Sequence, residues 1–290
     1  MKKQLVVITG AKLSLAKRTF KHGQHVLYPE IHGQEYKMNA AAGTLRQLHE
    51  NYEVIVAGYQ KEDRERFDQL GWCSPSRFHV VDLKDVNQVN SFVQKIAKLK
   101  KELEVPVHVI HYGGASDTKI ALPNNSLMSH TWDMPPEALL DLIANNCITL
   151  LNLVQEMKRQ NIFIDQVVTK IAVISAAASI RTKPMLGLDS TQKGAGHNLI
   201  RNMALDLTPE GIYITEIMPG STDTGFFDSD FTIETAIKVS KSMGYEYTKE
   251  NYPVFTAEQI GDAVKYVLDA RCNVREMVLL PYGQFPHLGA

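Results

Sequence analysis

The sequence predicts an α/β fold: a doubly wound parallel seven-stranded sheet with helices on both faces, in a single domain spanning 1–290. Three observations predict it. Seven apolar runs of strand length recur, rich in Val and Ile and mostly closed by Gly, Asp or Pro, as strands buried on both faces are. Segments of helical period separate them. With 290 residues, 44% of them hydrophobic, the chain is long enough for one large core and short for two full domains.

The strand runs are QLVVITG (4–10), YEVIVAG (52–58), FHVVD (78–82), VHVIHYG (107–113), KIAVISA (170–176), IYITEIMPG (212–220) and EMVLLPYG (276–283). The apolar part of the first run is too short for a signal peptide or a spanning helix, so it reads as a buried strand. Between the runs, VNQVNSFVQKIAKLKKEL, PEALLDLIANNCITLLNLVQEMKRQ and GAGHNLIRNMALDLTPEG carry helical spacing. A ligand crevice is expected beyond the carboxyl ends of the strands. Two segments break the alternation. One is 12–37, polar and bearing histidines; the other is 225–255, apolar at helical spacing and placed to form a lid.

The formal net charge of −1 gives no attraction for nucleic acid or an anionic membrane, so a small-molecule or protein partner is expected. Cys73, Cys147 and Cys272 are far apart, and no C-x-x-C occurs. Neither a disulfide framework nor a thiolate metal site follows, and the chain is expected in the cytoplasm.

Seven fragments in register resemble the short-chain dehydrogenase/reductase family over essentially the whole chain. VVITGA resembles its first strand and glycine turn, and VVDLKD its third strand end, with Asp82 in the adenine-contacting position. VIHYGGA stands for N-N-A-G, NNCITLLNLV for the helix bearing a structural and catalytic asparagine, here Asn146, and IAVISAAAS for I-S-S. DSTQKGAGHNLIRNMALDL is similar to the Y-x-x-x-K helix, and IMPGSTDT to P-G-x-x-x-T, which puts Thr224 near a nicotinamide carboxamide. The resemblance implies a Rossmann-type fold, cofactor contacts at Gly10, Asp82, Gly113, Lys193 and Thr224, and catalytic positions at Lys193, Asn146 and Asp189.

The pattern breaks where the chemistry lies. Asp189 holds the tyrosine's place four residues before Lys193, and Ala176, thirteen residues before Asp189, holds the serine's. A slip in alignment brings in Ser175 or Ser179 as the hydroxyl but supplies no tyrosine. An aspartate has an unperturbed pKa of about 3.9, and a lysine one turn away is expected to lower it. Asp189 is then an ion with no proton to give, which removes a general-acid factor of roughly 10²–10⁴ and repels a developing alkoxide. The glycine turn is altered too, with Ser14 and Ala16 in glycine positions. Counting back from the second strand starts the first helix near 38–51, so about 26 residues are inserted in the phosphate loop. An insert of that size predicts a cleft floor occupied by protein. A competing alignment makes HVLYPE (25–30) the second strand, but it doubles the usual interval to Asp82.

The second strand ends in AGYQKEDRER without an acid for a ribose 2′-hydroxyl, while Lys61, Arg64 or Arg66 suit a 2′-phosphate. NADP(H) is therefore the cofactor form implied. Asp189 and Lys193 at i and i+4 suit an ordinary helical salt bridge of roughly 0.2–0.5 kcal/mol, or an acid/base pair for proton abstraction alpha to a carbonyl. His111 and Tyr112, in place of small asparagines, fill space next to the cofactor, or Tyr112 serves as a displaced proton donor. His22, His25 and His32 with Glu30 and Glu35 match no strong metal motif, so no metal is expected. Lid aromatics such as Phe226, Phe227, Tyr245 and Tyr252 suit an apolar or aromatic small-molecule ligand, or simply pack onto the sheet. Gly194 and Gly196 within a helix suit close packing in a homo-oligomer, dimer or tetramer. Two functions stay open. The first is a degenerate family member that acts as a binding or regulatory protein or a non-redox enzyme. The alternative is an NADP(H)-dependent oxidoreductase of carbonyls and alcohols with an unusual proton donor.

Overall fold

The computed structural model describes residues 2–20, 28–113, 120–164 and 168–284. In chain order the first half contains β1 (Leu5–Thr9), β2 (Leu13–Leu15), β3 (Glu30–Ile31), β4 (Gln34–Met38), α1 (Ala40–Leu48), β5 (Glu53–Gly58), α2 (Lys61–Gln69), β6 (Phe78–Val80), α3 (Val86–Leu103) and β7 (Val107–Tyr112). The second half contains α4 (Pro136–Ile143), α5 (Thr149–Arg159), β8 (Thr169–Ile174), α6 (Gly187–Leu207), β9 (Ile212–Pro219), α7 (Asp230–Ser242), α8 (Ala257–Asp269) and β10 (Glu276–Leu279).

Seven strands form one parallel sheet in the order β10-β9-β8-β7-β1-β5-β6. This is the doubly wound α/β architecture that the alternating runs predict, and its second strand is β5. Alternation within β1 shows why both faces are covered. Leu5 and Val7 enter one core, with Phe92 and Ile96 of α3, Leu153 of α5 and Ile200 of α6. Val6 and Ile8 enter the other, with Leu45 of α1, Phe67 of α2 and Ile260 and Val264 of α8. The run from α4 to α5, Pro136–Arg159, passes through a π turn at Ala144–Ile148. By length and composition it would cross a bilayer, yet half of its apolar window is buried within the protein. Covering the sheet accounts for its apolarity. Where FHVVD is expected as strand to residue 82, β6 stops at Val80, because the Asp82 carboxylate accepts from the backbone N–H of Lys84 (2.9 Å) and holds a turn.

Between β1 and α1 the chain leaves the sheet as an antiparallel excursion, with β2 paired to β4 and β4 to β3. It then returns to a helix that lies very close to α8. A Cβ built on Gly43 would stand 2.3 Å from the carbonyl carbon of Ala257, and one on Gly261 would stand 2.9 Å from the carbonyl oxygen of Gly43. Here backbone meets backbone, with no flexible side chain to yield. Gly43→Ala is therefore expected to destabilise the protein by about 1–3 kcal/mol despite alanine's better helix propensity. The measurement is urea unfolding, with a lower midpoint and an unchanged slope.

Candidate functional site

The strand order reverses between β1 and β7, which opens a crevice beyond their carboxyl ends. Gly10 follows β1 with φ +78°, a conformation suited to glycine, and a Cβ there would press on the Tyr112 carbonyl at 3.0 Å. Gly113 follows β7, where a Cβ would meet Asn146 Oδ1 at 2.9 Å. Its missing side chain lets the π turn carrying Asn146 approach the strand end.

Asn39 closes the excursion onto the first turn. Its Oδ1 accepts from the N–H of Lys12 (3.1 Å) and of Ala42 (2.9 Å), its Nδ2 donates to the Gly10 carbonyl (2.6 Å), and its own N–H donates to Lys12 O (3.1 Å). One side chain thus caps α1 and joins the two ends of the excursion. Ser14 lies on β2, and Ala16 follows it, within the excursion and away from the helix junction. The turn facing α1 is Gly10-Ala11-Lys12.

Among the described residues, the inserted segment does not fill the cleft. A cavity of about 930 Å³ runs from Gly10 and Asn39, past Asp82 and Gly113, to Asp189, Lys193 and Thr224. The excursion lines the cavity with Lys12, Ser14, Leu15 and Lys17 and is tied to the loop after β9. Buried Lys37 of β4 donates to Asp223 (2.5 Å) and Asp228 (2.6 Å), and the Tyr28 hydroxyl donates to the other oxygen of Asp223 (2.6 Å). Phe20 packs edge-on to Phe227 at 6.3 Å. The phosphate-turn side is thereby joined to the loop bearing Thr224 across the cavity.

On α6, Lys193 does not pair with Asp189. Its Nζ donates to Asn146 Oδ1 (2.7 Å), and Asn146 Nδ2 donates to the Leu142 carbonyl (2.9 Å) and to Gln192 Oε1. Gln192 Nε2 in turn donates to Asp189 Oδ1 (3.0 Å). A chain Lys193–Asn146–Gln192–Asp189 therefore replaces the expected i,i+4 salt bridge. Burial is the largest influence on both ends. It raises the Asp189 carboxyl above the usual range, against the smaller opposing pulls of Lys193 and the Gln192 amide, and it lowers the Lys193 ammonium. The expected downward shift of Asp189 is reversed, because desolvation outweighs a lysine that gives its hydrogen bond to another group.

Other expected donors are committed elsewhere. The Tyr112 hydroxyl shares a short hydrogen bond with Thr44 of α1, and burial pushes the phenol far above its ordinary range. His111 is fully buried between Thr9 Oγ1 (3.1 Å) and Thr149 Oγ1 (3.3 Å), where burial drops it to about 3. It braces β1 against α5 and does not fill the crevice. Ser175 donates to Glu216 (2.5 Å), a fully buried carboxylate also bonded to His197 Nδ1 (2.6 Å), while Ser179 Oγ is buried without a partner. Arg66 is bonded to Asp63 (3.0 Å) and lies over the Tyr36 ring. Lys61 and Arg64 are exposed and do not line the cavity, whereas Lys12, Lys17 and Lys84 do. His22 and His25 lie outside the described residues, and no cluster fit for a metal occurs among the described ones.

The family model of enoyl-(acyl carrier protein) reductase matches residues 39–271, beginning at the asparagine where the excursion ends. This chain belongs to the short-chain dehydrogenase/reductase family. No curated protein matches the sequence. Among solved structures, the fold is shared with an alcohol dehydrogenase from Thermococcus sibiricus complexed with 5-hydroxy-NADP (18% identity, 98% of this chain and 99% of that one, TM-score 0.64). It is shared too with an NADPH-bound short-chain oxidoreductase from Pseudomonas aeruginosa PAO1 containing an atypical catalytic center (13%, 99% and 98%, TM-score 0.68). A third is the Bacillus cereus enoyl-acyl carrier protein reductase with NADP+ and indole naphthyridinone (14%, 99% and 97%, TM-score 0.68).

Reading the sequence missed Asn39, Gln192 and the Lys37 cluster. Asn39 had a signal, a capping residue directly before an alanine-rich helical run. Lys37 and Asp223 had none, being 186 residues apart. Lys37→Met leaves the buried Asp223 carboxylate and the partly buried Asp228 carboxylate without their shared cation and is expected to cost about 3–5 kcal/mol. Thermal unfolding checks this, with partial recovery expected on adding Asp223→Asn.

Proposed function

We propose that this protein is an NADP(H)-dependent oxidoreductase in which the carboxyl of Asp189 takes the role of the family's phenol. The observation that carries the reading is the continuous cavity joining the Gly10 turn to Asp189 and Lys193. Its volume of about 930 Å³ lies at the upper end of ligand sites, enough for an elongated dinucleotide and a small substrate together. Two of the structural neighbours are described with NADPH or NADP+, and one of those with an atypical catalytic center.

The residues present fit a dinucleotide. The Gly10 turn and the N-terminus of α1 would take the pyrophosphate, Asp82 the adenine, and Gly113, Lys193 and Thr224 the nicotinamide half. NADPH bound there supplies a hydride. The chain's own residues handle the proton. Asp189 borders the cavity, and burial holds a proton on its carboxyl at a pH where a free aspartate has lost it. Reduction of a ketone, or of a double bond conjugated to a carbonyl, places negative charge on the carbonyl oxygen, and the carboxyl delivers its proton there. The carboxylate left behind keeps the Gln192 amide as donor, with the Lys193 charge one turn away. Asn146 fixes the Lys193 ammonium through its 2.7 Å bond. In the reverse direction the Asp189 carboxylate accepts the alcohol proton.

The pH dependence has a definite sign. Reduction needs protonated Asp189, so its rate falls as pH rises through a carboxyl pKa above the usual range, and oxidation rises over the same interval. A second reading, a binding or regulatory protein without turnover, draws on Ala176, which offers no hydroxyl to the substrate oxygen. Titration with NADPH, followed by nicotinamide fluorescence and thermal shift, separates the two. Binding at micromolar concentration is expected, with Asp189→Asn retaining it while losing roughly 10²–10⁴-fold in turnover and its acid-side pH dependence. Absence of any shift at millimolar NADPH would leave only the second reading.

A further inference from the structure

Arg181, in the loop between β8 and α6, lines the cavity as a cation with no hydrogen bond or ion pair among the described residues. It borders the cavity together with Lys183, Leu186, Phe226 and Tyr252. Its Nη1 is buried with no hydrogen-bond partner, and no carboxylate pairs with it among the described residues. Two of the acids that line the same cavity are engaged elsewhere. Asp228 is bonded to Lys37, and Asp189 to Gln192. Arg181 is half-buried, and a buried guanidinium nitrogen left without an acceptor is destabilising unless a ligand supplies one. Its planar fork matches one carboxylate through two parallel hydrogen bonds. Burial also lowers the Lys183 ammonium to about 8, so this end of the cavity is poorly solvated for charge. Phe226 and Tyr252 give the wall an apolar, aromatic part beside polar residues such as Ser126, Ser240 and Gln284.

Building on the oxidoreductase reading, we infer that the substrate is an oxo acid whose carboxylate is held by Arg181, with an apolar or aromatic body against Phe226 and Tyr252 and its carbonyl toward Asp189. The inference names a specificity residue and a substrate class that the family membership alone does not supply.

The test uses the purified full chain with benzoylformate and its methyl ester, which differ only in the charged group. With NADPH, wild type is expected to prefer the acid, and Arg181→Met to lower the acid-to-ester ratio of kcat/KM by roughly 30-fold or more, as loss of one partner of a buried charge pair does. A separate arm needs no turnover. Benzoate alone is expected to raise the Tm of wild type and not of Arg181→Met, while Arg181→Lys keeps part of the shift. If the oxidoreductase reading fails but the anchor is real, turnover is absent and the benzoate shift persists. Equal use of acid and ester by wild type, or a benzoate shift that is absent or survives in Arg181→Met, overturns the inference. A selective response to inorganic phosphate, or weakened NADPH binding in place of a changed ratio, overturns it as well. Should Arg181→Met fail to fold, Arg181→Gln, which keeps a polar head, replaces it in both arms.

Discussion

The bond from Lys193 to Asn146 decides what the site can do. Had the ammonium paired with Asp189, the carboxyl would be held ionised, and the site would oppose charge building up on a substrate oxygen. Because Asn146 takes the ammonium, Asp189 keeps only an amide donor, and burial becomes the largest influence on its proton. The π turn makes this possible. It widens the helix at Ala144–Ile148 so that Asn146 reaches α6, and Gly113, lacking a Cβ, leaves room for it. This geometry leaves Asp189, in the family tyrosine's place, with its carboxyl raised above the usual range.

The excursion between β1 and α1 imposes a second constraint. Asn39 closes it at its base, so the Gly10 turn and α1 meet directly. Two residues before Asn39, Lys37 bonds to both Asp223 and Asp228. The loop after β9, including Thr224, is therefore fastened before any ligand arrives. A buried lysine between two aspartates is a costly arrangement to break and fixes geometry more than it adds stability.

Much of the fold was legible from residue pattern. Seven Val- and Ile-rich runs separated by helical segments specify a parallel sheet, because only strands covered on both faces read that way. The strand at 53–58 and the position of α1 also followed from counting. The state of Asp189 did not. Its shift depends on how deeply α6 is covered and on where the Lys193 side chain points, and neither is encoded in i,i+4 spacing. Tyr112 misled for a related reason: a strand end shows that a side chain lies near the crevice, but Thr44, 68 residues earlier, determines where its hydroxyl goes. The Lys37–Asp223 pair was out of reach because sequence distance hides contacts made only after folding.

The most direct test of this account is the titration of one carboxyl group. Carbon-13 NMR of side-chain carboxyls, recorded for wild type and Asp189→Asn, identifies the Asp189 resonance by its loss from the variant. The account predicts that this resonance titrates clearly above the free aspartate value of about 3.9. A midpoint at or below that value would mean that Lys193 governs Asp189 after all, and the carboxyl could not serve as the proton donor.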